Sequence, residues 1–78
     1  MLESKVQAKL IKKLESEGYY VLKLIKTNKN GIPDLLALKE NEIYFIEVKA
    51  KSGVLSEIQK YRLKELKENG FKTEVYYG

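Results

Sequence analysis

Two short apolar segments joined by a polar tetrapeptide constrain this chain more than anything else in it. Residues 34–39 (DLLALK) and 42–48 (EIYFIEV) have strand composition. Lys39-Glu40-Asn41-Glu42 lies between them as a tight turn in which Asn41 can take a left-handed conformation. A two-residue loop at Glu40-Asn41 pairs Lys39 with Glu42, and counting outward sets Asp34 opposite Glu47. Directly opposed residues share a face with Cβ atoms roughly 5 Å apart, where like charges repel. Lys49, two residues beyond Glu47, points to the same side. Fold stability does not ask for two facing carboxylates, whereas a bound divalent cation does.

The flanking segments supply the rest of a small fold. Val6, Leu10 and Leu14 recur at helical spacing within residues 3–17, flanked by Leu2 and Ile11, and Gly18 stops that helix. Residues 19–25 (YYVLKLI) are rich in strand formers. The polar run 26–30 is a loop, and Gly31-Ile32-Pro33 bends the chain into the hairpin. Pro33 cannot donate to a sheet ladder, so it belongs at a strand start or an edge. Lys51-Ser52-Gly53 breaks the third strand. Ser56-Glu57-Ile58-Gln59 matches a capping box, opening a helix that places Ile58 and Leu66 inward and ends at Gly70. Residues 72–76 form a last strand. The order α-β-β-β-α-β predicts an α/β fold, a central sheet with a helix packed on each side. No repeat or linker interrupts residues 1–78, so one domain is expected.

At 78 residues the domain is near the lower limit for a self-sufficient core, so any cleft is shallow or completed by a second chain. With 44% hydrophobic and 33% charged residues, the composition is that of a soluble globular protein. No apolar run approaches the ~20 residues of a membrane span, and the start lacks the layout of a secretory signal. A cytoplasmic protein is the expectation. The chain has no cysteine and no histidine. That excludes disulfides, thiol nucleophiles, thiolate zinc sites, imidazole bases and Ser-His-Asp triads. Carboxylates, lysine, hydroxyls and an oxygen-liganded metal remain, and Mg²⁺ or Mn²⁺ suits that donor set. A net charge of +4 and a pI near 9.2 lean toward a polyanion partner. Arg62 is the single arginine among fifteen basic residues, which favours phosphate contact over base readout. The plain alternative is a lysine-rich solvated surface.

Each candidate residue also has an ordinary structural reading. Glu47 continues the face of Ile43 and Phe45 into apolar surroundings, where an ionised carboxylate is costly unless paired or metal-bound. Glu47 and Lys49 can instead be an ion pair snorkelling at a strand end. Asp34 in Gly-Ile-Pro-Asp can simply close a turn through its side chain. Neither reading explains why Asp34 should face Glu47.

Gly31-Ile32-Pro33-Asp34, then Phe45-Ile46-Glu47-Val48-Lys49, then a helix bearing Gln59, resembles the PD-(D/E)xK nuclease superfamily. More narrowly, the chain resembles its VRR-NUC (virus-type replication-repair nuclease) group. The likeness covers nearly the whole chain, including an early helix with Glu3 and Gln7 and the Ser52-to-Gln59 run. It implies a restriction-endonuclease-like fold with a mixed sheet. It also implies two metal-binding acids at Asp34 and Glu47, with the Val48 backbone carbonyl as a further ligand. The catalytic lysine would be Lys49, with a helical glutamine at Gln59 and an N-terminal acid at Glu3. Gln59 closing the capping box, and Glu3 as a favourable charge at a helix start, are the alternatives for those two. Lys26, Lys29 and Lys51 lie in loops flanking this cluster, placed to hold a DNA backbone or merely solvated.

The implied activity is Mg²⁺- or Mn²⁺-dependent hydrolysis of DNA phosphodiester bonds, on branched DNA such as Holliday junctions, by a homodimer. A rival reading is a nuclease-like fold that binds nucleic acid or protein without cutting. Intact Asp34, Glu47 and Lys49 argue against it.

Overall fold

The structure, a computed structural model, describes residues 2–78. Its elements are α1 (Glu3–Ser16), β1 (Tyr20–Lys23), β2 (Leu35–Lys39), β3 (Glu42–Lys49), α2 (Glu57–Glu68) and β4 (Lys72–Tyr77). They form one four-stranded sheet in the order β1-β2-β3-β4. The first two pairings are antiparallel and β3–β4 is parallel, so the sheet is mixed as the resemblance implies.

The hairpin has the register the turn predicts, running from Lys39↔Glu42 to Leu35↔Ile46. Both loop residues take positive φ, 51° at Glu40 and 68° at Asn41. A two-residue hairpin loop needs two such residues to match the strand twist. Asn41 suits that conformation and Glu40 does not, because its Cβ crowds the following carbonyl. Glu40→Asn is therefore expected to stabilise the exposed turn by about 0.5–1 kcal/mol. A melting temperature raised by a few degrees would show it, and a fall would contradict it.

β1 is shorter than the strand composition of residues 19–25 suggests. Its partner β2 begins only at Leu35, so past Lys23 a single bond remains, from Leu24 N–H to the Asp34 carbonyl (2.8 Å). Strand alternation gives the sheet two unlike faces. On one, Leu35, Ala37, Ile46 and Val48 are buried against Val6 and Leu10 of α1, forming the core. Ile11, Leu14, Tyr19, Val21, Tyr44 and Tyr76 pack around it.

The opposite face carries Leu36, Leu38, Phe45 and Glu47, with α2 packed on that side over β4. No residue of α2 is buried. Ile58, expected on the inner side, is exposed, and Leu66 is half-buried. The helix lies toward one edge of the sheet, so its apolar stripe meets β4 and the loop before β2, not the sheet centre. Phe45 packs edge-on against Phe71, with ring centroids 5.8 Å apart.

Candidate active site

The apolar face ends in polar residues where β2 begins and β3 ends. One step beyond Leu35↔Ile46, the register sets Asp34 opposite Glu47. Glu47 is only 2% exposed, and Lys49, two residues on, is also buried. The Lys49 Nζ lies 3.9 Å from Glu47 Oε2. The reading of this pair as a solvent-exposed ion pair therefore fails. The turn after β3 closes over the lysine stem, where a Cβ on Gly53 would come within 3.2 Å of Lys49 Cβ.

Asp34 is fixed by the strand it faces. Its Oδ2 accepts a hydrogen bond from Val48 N–H at 2.8 Å. The N–H and C=O of one strand residue point to the same side. The Val48 carbonyl is thus directed toward Asp34, past the end of β2. Asp34, Glu47 and this carbonyl form an all-oxygen set.

Gln59 joins them from α2. Ser56 Oγ accepts from Gln59 N–H (3.2 Å), while Gln59 Oε1 accepts from Ser56 N–H (2.9 Å), so the capping box is complete. With its oxygen occupied by the cap, the Gln59 amide turns its NH₂ outward, and Nε2 donates to Glu47 Oε2 at 3.3 Å. The capping reading of Gln59 holds, and the cap orients the amide that touches Glu47. Ser56→Ala is expected to cost about 1 kcal/mol, lowering the melting temperature by roughly 4–8 °C. Ser56→Asp, which keeps an acceptor at the cap, should recover most of that loss; an unchanged melt of Ser56→Ala would refute it.

A second tie sets the loop that delivers Asp34. Arg62 Nε donates to the Asn30 carbonyl at 2.8 Å. Gly31, at φ 78°, lies so close to α2 that a Cβ there would meet Ile58 Cγ1 at 2.8 Å and its backbone at 3.0 Å. Sequence reasoning treats Gly31 as a bend and misses Arg62 as a clamp. No spacing rule reports a contact to a backbone carbonyl across thirty-two residues.

Glu3 stands apart. It is an exposed residue in the first turn of α1, contributing charge but no contact to Glu47. Among the described residues no three His, Cys, Asp or Glu side chains come together as a metal site. Two carboxylates are all the acidic side chains offer. Lys26, Lys29 and Lys51 are exposed, the first two before Asp34 and the third just after Lys49. The two largest described grooves lie elsewhere, one of 460 Å³ over the hairpin turn and one of 380 Å³ between α2 and β4. The acidic cluster lies outside both grooves, at the end of the sheet where β2 begins and β3 ends.

The electrostatics of Glu47 are out of balance. Its Oε1 is buried with no hydrogen-bond partner. Burial first, then the neighbouring Asp34 carboxyl and its like charge, push its carboxyl from 4.5 up to about 8, against the opposing pull of Lys49. Two ionised carboxylates cannot hydrogen-bond each other, so a shared proton or a cation must balance the pair. An orphaned carboxylate oxygen beside a second carboxylate and a backbone carbonyl fits a hard divalent cation.

Comparison with known proteins identifies the family and agrees with the fold. The VRR-NUC domain family matches residues 2–78. A solved structure described as a VRR_NUC domain superposes with a TM-score of 0.85 at 29% identity, covering 97% of this chain and 83% of that one. The crossover junction endodeoxyribonuclease of Sulfolobus islandicus rod-shaped virus 1 is 35% identical over 60 residues. That match takes in 74% of this chain and 50% of the viral protein, so the chain spans about half the length of that relative.

Proposed function

Because the chain belongs to the VRR-NUC domain family, we propose that it is an endonuclease that hydrolyses DNA phosphodiester bonds with Mg²⁺ or Mn²⁺. We further propose that it acts on branched DNA, four-way junctions above all, as a homodimer. The observation that carries the reading is the partnerless, buried Glu47 oxygen beside Asp34. The name of the viral relative supports DNA junctions as the substrate class.

Asp34, Glu47 and the Val48 carbonyl would hold the cation. When bound, it would polarise the phosphate and acidify a water at neutral pH. Lys49 supplies fixed positive charge next to Glu47, placed to orient the attacking water and offset charge growing on the phosphoryl oxygens. Gln59 keeps Glu47 in one rotamer, so the carboxylate meets the cation without reorganising. Lys26, Lys29 and Lys51 hold the backbone on either side, and contacts of that kind carry no sequence preference. Selectivity for a branch then comes from the spacing of two sites in a symmetric dimer.

No helix among the described residues is long and apolar enough to cross a membrane. The test is cleavage of an end-labelled four-way junction with Mg²⁺ and with EDTA. The expected result is Mg²⁺-dependent cutting, faster on the junction than on a linear duplex of the same sequence. Tight junction binding with no cutting in Mg²⁺ or Mn²⁺ would replace the enzyme with a binding module.

A further inference from the structure

One helix holds both sides of the acidic cluster, through residues three apart. Gln59 Nε2 donates to Glu47 Oε2 at 3.3 Å, and Arg62 Nε donates at 2.8 Å to the carbonyl of Asn30, four residues before Asp34. Residues at that spacing share a helix face, so a single docking of α2 sets the Glu47 carboxylate and the loop that delivers Asp34. Yet no residue of α2 is buried. Its grip on the loop rests on a few directed contacts, not on a packed core.

The loop leaves little slack between Asn30 and the Asp34 carboxylate. Gly31 takes φ 78° and lies against Ile58, where even a Cβ would not fit. Pro33 is fully buried, with its φ fixed by the ring. The Asp34 carbonyl accepts from Leu24 N–H at 2.8 Å, and its Oδ2 accepts from Val48 N–H at 2.8 Å. A displacement of the Asn30 carbonyl is therefore passed on to Asp34 and not absorbed on the way.

The guanidinium itself is engaged within the fold. Its Nη1 pairs with Glu65 Oε1 at 3.1 Å, and the Arg62 side chain is only 16% exposed. Its central carbon lies 5.3 Å from the centroid of the Tyr61 ring. Composition marks the single arginine for phosphate contact, but its donors face a backbone carbonyl and a carboxylate of the chain itself. A lysine supplies the charge but not the planar fork that spans both acceptors.

We propose that Arg62 is a positioning residue for Asp34. Braced by Glu65, it fixes the Asn30 carbonyl and so holds the Asp34 carboxylate in line with Glu47 before a cation arrives. Alignment of this kind raises metal affinity, because the ligands do not reorganise on binding. The consequence for the metal rests on the nuclease reading; the hold on Asp34 does not.

Amide hydrogen exchange of the metal-free chain, with a Mn²⁺ titration of the same samples, tests this. Arg62→Met keeps the stem and removes the donors. Its Val48 amide should exchange roughly tenfold faster as Asp34 loosens. The Glu47 amide, turned toward β4 by strand alternation, should keep its wild-type rate. The Kd for Mn²⁺ should rise roughly tenfold or more, and Arg62→Lys should recover part of both losses. If Arg62→Met fails to fold, Glu65→Ala, which frees the guanidinium, should move both readouts the same way by a smaller factor. A wild-type Mn²⁺ affinity that the substitution leaves unchanged overturns the proposal. Equal acceleration at Val48 and Glu47 also overturns it, since Arg62 would then support the fold in general. Selective acceleration at Val48, in a chain whose wild type binds no Mn²⁺, upholds the positioning role and sinks the metal-dependent nuclease reading.

Discussion

Asp34→Asn is expected to abolish cleavage while making the metal-free protein more stable, two effects of opposite sign from one atom. Asparagine keeps a carbonyl oxygen for the Val48 N–H that Asp34 Oδ2 now accepts at 2.8 Å. Its amide can donate to Glu47, so the buried carboxylate gains a hydrogen bond in place of a like charge. Without the second acid the cation loses a ligand. Cleavage should fall by roughly a thousandfold or more, equivalent to about 4 kcal/mol of transition-state stabilisation. In EDTA at pH 8 the melting temperature should rise by several degrees. A variant that lost activity and stability together would show Asp34 to be a structural residue. Undiminished cutting would remove it from the site.

The second large effect is the dependence of stability on pH and metal. Glu47 ordinarily titrates near 4.5 and is pushed to about 8 in the fold. Between those values the folded chain holds a proton that the unfolded chain has released. The stabilisation this brings is fully present below about 4.5 and is lost as pH rises through 8. In EDTA the melting temperature should therefore fall between pH 5 and pH 8, by on the order of 10 °C. Saturating Mn²⁺ should reverse the loss, since a ligand at a hundred times its Kd adds about 2.7 kcal/mol. The gain should be largest at pH 8 and small at pH 5, where proton and cation compete for Glu47. A flat profile in EDTA, or equal Mn²⁺ stabilisation at both pH values, would contradict this electrostatic picture.

The hairpin is the most legible part of the chain because side-chain alternation of period two, together with a turn of fixed length, leaves one register. Counting residues outward from the turn is enough to bring Asp34, Glu47 and Lys49 to one face, and the strand pairing bears that register out as far as Leu35↔Ile46, one step short of Asp34. The capping box is equally plain, since Ser56 and Gln59 signal it by spacing alone. Features that depend on how elements dock are not legible in this way. Helical periodicity shows that α2 has an apolar stripe, but not that the helix lies over β4 and leaves Ile58 exposed. The length of β1 depends on where β2 begins, which composition does not encode. The Arg62 clamp on Asn30 and the approach of Gly31 to Ile58 are long-range contacts with no local signature. Spacing likewise does not distinguish a solvated Glu47–Lys49 pair from a buried one, because the turn at Gly53 against Lys49 and Gln59 of α2 against Glu47 are contacts made by docking.

A Mn²⁺ titration followed by electron paramagnetic resonance, at pH 7.5 and without DNA, bears on the proposed cation site itself. The wild type should bind Mn²⁺ saturably and lose that binding in Asp34→Asn and in Glu47→Gln, with both variants folded. Binding that survives both substitutions, or a wild type that binds no Mn²⁺ while cutting DNA, would show that these two carboxylates do not hold the metal.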